Sequence, residues 1–238
     1  MIERVQAVLF DVAGTLALPE DRDAWLAAAA FEIGVALDAD AAPALAAQLE
    51  AAGRPGPWSA ATVPAAVADA YAARDLDPDA HRTGFVGVLA TIPLPHPRLA
   101  EALYERVLVP HGWTAYPDAV PVLRELRARG VRTAAVSNIG FDARPILAGL
   151  GLLEHLDAVV LSYEVGATKP SPEIFRAPCA AVRAEPAATL MVGDNAVEDT
   201  GGLALGIRTL LLSMSPAGEP HGLDAVLALV GPGRDATS

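Results

Sequence analysis

Residues 5–10 form a short apolar run interrupted only by Gln6, which stops at Asp11 and soon meets Gly14, the pattern of a buried strand entering a loop. From residue 21 to about 109 the texture changes. Alanine-rich segments with helical spacing, parted by proline and glycine, predict helices over 22–33, 41–52, 63–73, 78–89 and 97–108, with no strand among them. Asp40, Thr62 and Asp77 stand where N-caps belong, Pro78 and Pro97 where a first turn tolerates a missing N–H, and Gly34 and Gly53 where helices stop. Past Tyr116, apolar strands alternate with amphipathic helices. Asp118 is expected to cap a helix that turns Val122, Leu123 and Leu126 inward and Arg124, Glu125, Arg127 and Arg129 toward water, with Gly130 ending it. Strands over 132–136, 157–161, 189–192 and 208–212 alternate with helices over 144–150, from Ser171 and Pro172, and from about Asp199. Pro178 is expected to kink the second of these helices.

Strands that alternate with helices imply right-handed crossovers and an α/β fold, a parallel sheet covered on both faces. Such sheets bind ligands beyond the carboxyl ends of their strands. Asp11, Ser137, Lys169 and Asp194 each fall at or just after the end of a different predicted strand, so four segments deliver polar groups to one edge. The helical block, inserted after the first strand, is expected to lie over that edge as a lid. This divides the chain into a core, 1–18 plus 112–238, and a cap, 19–111. There is no internal repeat.

Composition narrows the function. At 238 residues, 53% hydrophobic and 19% charged, with mean hydropathy +0.34, the chain has the material for one large or two small globular domains. Seventeen basic against 29 acidic residues leave a net charge of -12, a field that repels polyphosphate and argues against nucleic-acid partners. No apolar stretch is long enough for a membrane span, and the first apolar run meets Asp11 too early for a signal peptide, so a soluble cytoplasmic chain is expected. The single cysteine, Cys179, cannot form an internal disulfide, and it reads as a small buried hydrophobe. Lys169 is the only lysine; every other basic residue is arginine.

Four segments then stand in order along the chain: Phe10-Asp11-Val12-Ala13-Gly14-Thr15-Leu16, Val136-Ser137-Asn138, Lys169-Pro170-Ser171-Pro172-Glu173-Ile174-Phe175, and Val192-Gly193-Asp194-Asn195 with Asp199. In order and spacing they resemble the motifs of the haloacid dehalogenase superfamily of hydrolases. The helical block between the first two resembles that family's C1-type cap. The resemblance implies a Rossmann-like, doubly wound core, a nucleophilic aspartate and, in the phosphatase branches, Mg²⁺. It also implies a metal ligand in the backbone carbonyl two residues after the nucleophile, here that of Ala13.

Each residue has a task in that chemistry. Asp11 can attack phosphorus and divide a hydrolysis into formation and breakdown of an aspartyl-phosphate. Two anions repel, so a hard cation must bridge them; Asp11 and Asp194 are the expected carboxylate ligands, with Asp199 a ligand or a support. Ser137 and Asn138 can donate to phosphate oxygens, Lys169 can neutralise developing charge, and Thr15 joins them as a candidate substrate contact. Taken singly, Asp11 and Ser137 read equally as turn residues, Lys169 as a solvated loop lysine, and Asp194 and Asp199 as helix caps. It is their conjunction that favours a site. The five histidines show no metal-ligand spacing. Trp25, Trp58 and Tyr71 read as core, whereas Arg22, Arg54, Arg74, His81 and Arg82 are cap residues able to read an anionic group.

Position 13 departs from the family. Its phosphatases carry a second aspartate there, which protonates the leaving oxygen and later activates water; this chain has Ala13. Loss of a positioned acid/base typically removes about 10² to 10⁴ in rate, which favours a substrate with an acidic leaving group, such as an acyl or aryl phosphate, unless Glu20, Asp21 or Asp23 substitutes. Phosphonoacetaldehyde hydrolase also has alanine at that position but needs a cap lysine, and this cap has none. The haloacid dehalogenases have an aromatic residue there and neutral groups near position 194, where this chain keeps Asp194 and Asp199. A small phosphorylated substrate is therefore the first expectation, with carbon-halogen hydrolysis or a phosphate-binding pseudoenzyme as alternatives.

Overall fold

The computed structural model describes residues 4–53 and 62–231. Five strands, β1 (Ala7–Phe10), β4 (Arg132–Ser137), β5 (Ala158–Leu161), β6 (Thr189–Gly193) and β7 (Arg208–Leu211), form one sheet in the order β5-β4-β1-β6-β7. Every pairing in it is parallel. Alternation of period two buries both faces. Val8, Phe10, Ala135, Leu190 and Val192 enter one apolar cluster, while Ala7, Leu9, Ala134, Val136 and Met191 enter another with Ile174, Phe175, Cys179 and Val182. Successive connections run from β1 outward through β4 to β5, then cross back to β6 and β7. The strand order therefore reverses beside β1, where open α/β sheets form their crevice.

Between β1 and β4 the chain builds β2 (Ala17–Pro19), α1 (Arg22–Glu32), α2 (Ala42–Gly53), α3 (Ala68–Ala73), α4 (Pro78–Leu89), α5 (Leu99–Val107), β3 (Trp113–Ala115) and α6 (Ala119–Ala128). After β4 follow α7 (Arg144–Gly149), α8 (Ser162–Val165), α9 (Pro172–Val182), a 3-10 turn over Asp199–Leu205, and α10 (Ala225–Val230). α9 continues through Pro178. The predicted helices are present with shifted ends. The segment expected to be helical from residue 63 begins instead as a 3-10 turn at Ala65, and α5 starts at Leu99 rather than at Pro97. Trp58 and Arg54 lie outside the described residues.

Three of the cap assignments need correction. Asp38, not Asp40, accepts from the backbone N–H groups ahead of α2, those of Asp40 and Ala41, at 3.1 and 2.9 Å. Thr62 precedes Pro64, whose backbone rather than a side chain opens the 3-10 turn. Asp118 stands at the N-cap position of α6, as expected, but its carboxylate makes no capping bond there and accepts instead from the backbone N–H groups of His221, Gly222 and Leu223, a contact across more than a hundred residues that local spacing cannot foretell. Asp77 does cap α4, accepting from Ala80 N–H at 2.7 Å.

The short β2–β3 ribbon was not expected. Its antiparallel register sets Ala17 opposite Ala115 and Pro19 opposite Trp113, so the helices α1–α5 leave and return through two adjacent strands. Arg106, at the end of α5, locks that neck. Its guanidinium donates to both oxygens of Glu20, at 2.6 and 3.0 Å, and to Glu32 at 3.2 Å. A bidentate pair this sheltered fixes geometry as well as charge.

α3, α4 and α5 share a small aromatic cluster of Tyr71, Phe85 and Tyr104 around His81. His81 Nδ1 pairs with the Tyr104 hydroxyl at 2.7 Å, and its ring meets that of Phe141 from the core. Burial, with a smaller push from Arg74, lowers the His81 pKa from 6.5 to about 3. The folded protein thus keeps it neutral while the unfolded chain protonates it below 6.5, so its contribution to stability is present above that pH and is lost as pH falls toward 3. In urea titrations His81→Gln should flatten the acid limb between pH 6 and pH 4 by up to one proton, about 1.4 kcal/mol per pH unit. An acid limb identical to that of the wild type refutes this.

Candidate active site

β1 ends at Phe10, and Asp11 is anchored by its backbone N–H to the Val192 carbonyl of β6 at 2.9 Å. The chain then turns tightly: the N–H groups of Leu16 and Ala17 both reach the Val12 carbonyl at 3.0 Å, and Gly14 takes φ +95°. That turn needs glycine twice over. The left-handed φ disfavours other residues, and a Cβ would sit 2.5 Å from Asp194 Oδ2. Gly193 plays the same part opposite, since a Cβ there would collide with the Asp199 carboxylate.

Lys169 lies at the centre. Its ammonium donates to Asp11 Oδ1 at 2.6 Å and to Asp199 Oδ1 at 2.7 Å, and its side chain is 1% exposed. Burial works against the charge on Lys169, but the two carboxylates more than reverse that and raise its pKa. For Asp11 burial dominates. Helped by the charges of Asp199 and Asp194, it outweighs Lys169 and lifts the carboxyl from 3.8 to about 7. Burial first and then Asp199 raise Asp194 as well. The second oxygen of Asp199 accepts from Asn195 N–H at 2.9 Å, so both its oxygens are engaged within the protein. Asp194 also accepts from the Thr15 hydroxyl, at 3.3 Å.

Oxygens of Asp11, Asp194 and Asp199 lie within 4.8 Å of one another. An all-carboxylate donor set suits a hard divalent cation such as Mg²⁺. Among the three, Asp199 is already committed to Lys169 and Asn195, which leaves Asp11 and Asp194 the better placed to hold an ion.

The remaining sequence candidates divide. Ser137, at the end of β4, is buried, and its hydroxyl has no hydrogen-bond partner among the described residues. The Asn138 side chain is engaged within the protein. Its oxygen accepts from Lys169 N–H at 2.7 Å, and its amide donates to the Lys169 carbonyl at 3.0 Å and to Glu198 Oε2 at 3.2 Å. Both side-chain amide hydrogens are therefore engaged, and the Asn138 side chain braces Lys169. Glu20 and Asp21, considered as substitutes for the missing aspartate, are held elsewhere: Glu20 by Arg106, and Asp21 by the N–H groups of Asp23 and Ala24. Asp23 is exposed. Among the cap cations, Arg22 pairs with Glu50, Arg82 pairs with Glu101, and His81 is buried against Tyr104. Arg74 sits where the cap meets the core. Sequence reasoning missed Glu198, beside Asp199, and Asp75, beside Arg74; the proximity of Glu198 to Asp199 was a usable signal, whereas nothing in the spacing marks Asp75.

A sequence profile described as haloacid dehalogenase-like hydrolase matches residues 5–206, a span that contains every group just described. The chain belongs to that family. Human haloacid dehalogenase-like hydrolase domain-containing protein 3 is 38% identical over 129 residues, covering 54% of this chain and 51% of that protein. Phosphoserine phosphatase of Thermus thermophilus is 40% identical over 115 residues, 47% of this chain and 45% of that protein. The chain thus spans about half the length of the curated relatives it matches. Those relatives include phosphatases and a haloacid dehalogenase. The crystal structure of a HAD phosphatase from Thermococcus onnurineus superposes with TM-score 0.62 at 24% identity, covering 97% of this chain and 100% of that one, a likeness of fold.

Because Lys169 is the cation between two buried carboxylates, Lys169→Met should cost about 3 to 5 kcal/mol at neutral pH. The loss should shrink as pH falls, since protonation relieves the unpaired carboxylates. Chemical denaturation at pH 7.5 and pH 5 measures both; a small, pH-independent change contradicts the ion-pair assignment.

Proposed function

We propose that this HAD-family hydrolase is a phosphatase of small phosphorylated molecules, with Asp11 as nucleophile. The supporting observation is the joint placement of Asp11, Lys169, Asp194 and Asp199 at the crevice beside β1, with the oxygens of the three carboxylates within 4.8 Å. Asp11, Asp194 and the Ala13 carbonyl would hold Mg²⁺, which when bound screens the carboxylate from the incoming phosphate. Asp11 attacks phosphorus, the bond to the leaving oxygen breaks, and an aspartyl-phosphate forms; water then attacks the same phosphorus and returns the carboxylate. Lys169, aligned by Asn138 and Asp199, balances the negative charge on the transferring group, and the free hydroxyl of Ser137 donates to a phosphate oxygen, with Thr15 holding Asp194 beside it. Residues 19–111 act as the cap over a core formed by 1–18 and 112–238.

A second reading has an observation in its favour. Ala13 offers no proton, and a halide leaving group needs none, so Asp11 attack on carbon is compatible with that position. The acidic group of Asp11, Asp194 and Asp199, with Asp194 placed beside Asp11 to share a cation, weighs toward phosphate.

Mg²⁺-dependent release of nitrophenol from p-nitrophenyl phosphate, abolished in Asp11→Asn, is the expected result. No phosphate release from any ester, with halide release from a 2-haloacid in EDTA, would select the second reading instead. Supplying an acid with Ala13→Asp should raise kcat/KM on an alkyl phosphate by about tenfold or more only where no other group already protonates the leaving oxygen. A flat or lower rate would mean that the leaving oxygen is protonated by another group.

A further inference from the structure

At the turn between α3 and α4 the helical insertion makes a polar contact with the core. There the Ser162 hydroxyl, just past β5, donates to the Asp75 carbonyl, and the Arg74 carbonyl presses so closely on Gly140, just past β4, that a Cβ would collide with it. Both anchors are on the carboxyl edge of the sheet that carries Asp11. The loop is thus pinned at its backbone, and the Asp75 side chain stays 23% exposed.

The charged groups facing that carboxyl are few. Arg74 on its own turn lies 3.4 Å away; from the core, Lys169 attracts it, and Glu198 shares its field. Lys169 in turn is 2.6 Å from the Asp11 oxygen. The turn that carries Asp75 is thus held on the sheet edge that carries Asp11, and its carboxyl lies within the fields of Lys169 and Glu198. Asp11 and Asp199 are bonded to Lys169, Asp194 accepts from Thr15 and would share the cation, and Glu20 is held by Arg106. Among the described residues the Asp75 carboxylate contacts Arg74, at 3.4 Å.

Resting on the phosphatase reading, we infer that Asp75, supplied by the cap, is the catalytic acid/base that stands in for the aspartate missing at position 13. As the Asp11–phosphorus bond forms and the ester bond breaks, the Asp75 carboxylic acid gives its proton to the leaving alkoxide, which departs as an alcohol. In the second half its carboxylate takes a proton from water; the water oxygen bonds to phosphorus, the Asp11–phosphorus bond breaks, and inorganic phosphate and the two original carboxyl groups result. Burial, opposed by Arg74 and Lys169, raises the pKa of Asp75, which favours a carboxyl that carries a proton nearer to neutral pH. The assignment also gives cap closure a catalytic purpose: the acid reaches the leaving oxygen only while the α3–α4 turn rests on Ser162 and Gly140.

Leaving-group dependence tests it. In Asp75→Asn, the ratio of kcat/KM for glycerol 2-phosphate to that for p-nitrophenyl phosphate should fall by about 10²-fold, because nitrophenolate departs without a proton and an alkoxide does not. The high-pH decline of kcat/KM on the alkyl ester should vanish in the same variant, and Ala13→Asp placed in the Asp75→Asn background should restore the ratio. An Asp75→Asn enzyme whose ratio equals that of the wild type, whether both esters slow together or neither does, overturns the assignment. A wild type that hydrolyses neither ester, in the presence of Mg²⁺, overturns the phosphatase reading itself.

Discussion

One buried ammonium holds this site together. Lys169 lies between Asp11 and Asp199 with almost no solvent contact, and without it two carboxylates would face each other in a medium that cannot screen them. The surrounding structure serves that placement. Asn138 grips the Lys169 backbone through both its donor and its acceptor atoms, Asn195 N–H fixes the far oxygen of Asp199, and Gly14 and Gly193 remove the side chains that would separate the carboxylates. Burial, with the neighbouring carboxylates adding to it, raises Asp11 and Asp194.

The sheet explains why these groups meet. Five parallel strands point their carboxyl ends one way, and the order reverses beside β1. Asp11, Ser137 and Asp194 then lie on three adjacent strands without any local interaction among them. The helical insertion leaves through β2 and returns through β3, and the Arg106–Glu20 pair closes the neck, so the cap has a defined point of attachment. Its apolar interior is continuous with that of the core through residues such as Leu16, Leu18 and Trp25. The α3–α4 turn adds a second point of contact at the site itself.

Much of this was legible in one dimension. Apolar runs that end in Asp11, Ser137 and Asp194 announced strands that deliver chemistry at their ends, and the helix over Pro78–Leu89 carries its own start signals, Asp77 and Pro78. What failed to read correctly involves partners far apart in the chain. Asp118 looks like a cap and is instead a clasp for residues 221–223; Asn138 looks like a ligand donor and is a brace for Lys169; β2 and β3 are three residues each, too short to show a period.

The sequence by itself therefore determined the α/β class, the strand ends, the carboxylates placed at those ends and the alanine at position 13, because these are properties of local pattern and residue type. Only the tertiary structure decided which polar groups remain free. Asn138 and Asp199 find partners within the protein, while the Ser137 hydroxyl has none among the described residues, and the turn that carries Asp75, unremarkable in its own segment, rests on the sheet edge because Ser162 and Gly140 hold its backbone there. Hydrogen bonds and charges are satisfied in space, and a chain listed residue by residue does not say which neighbours folding will provide.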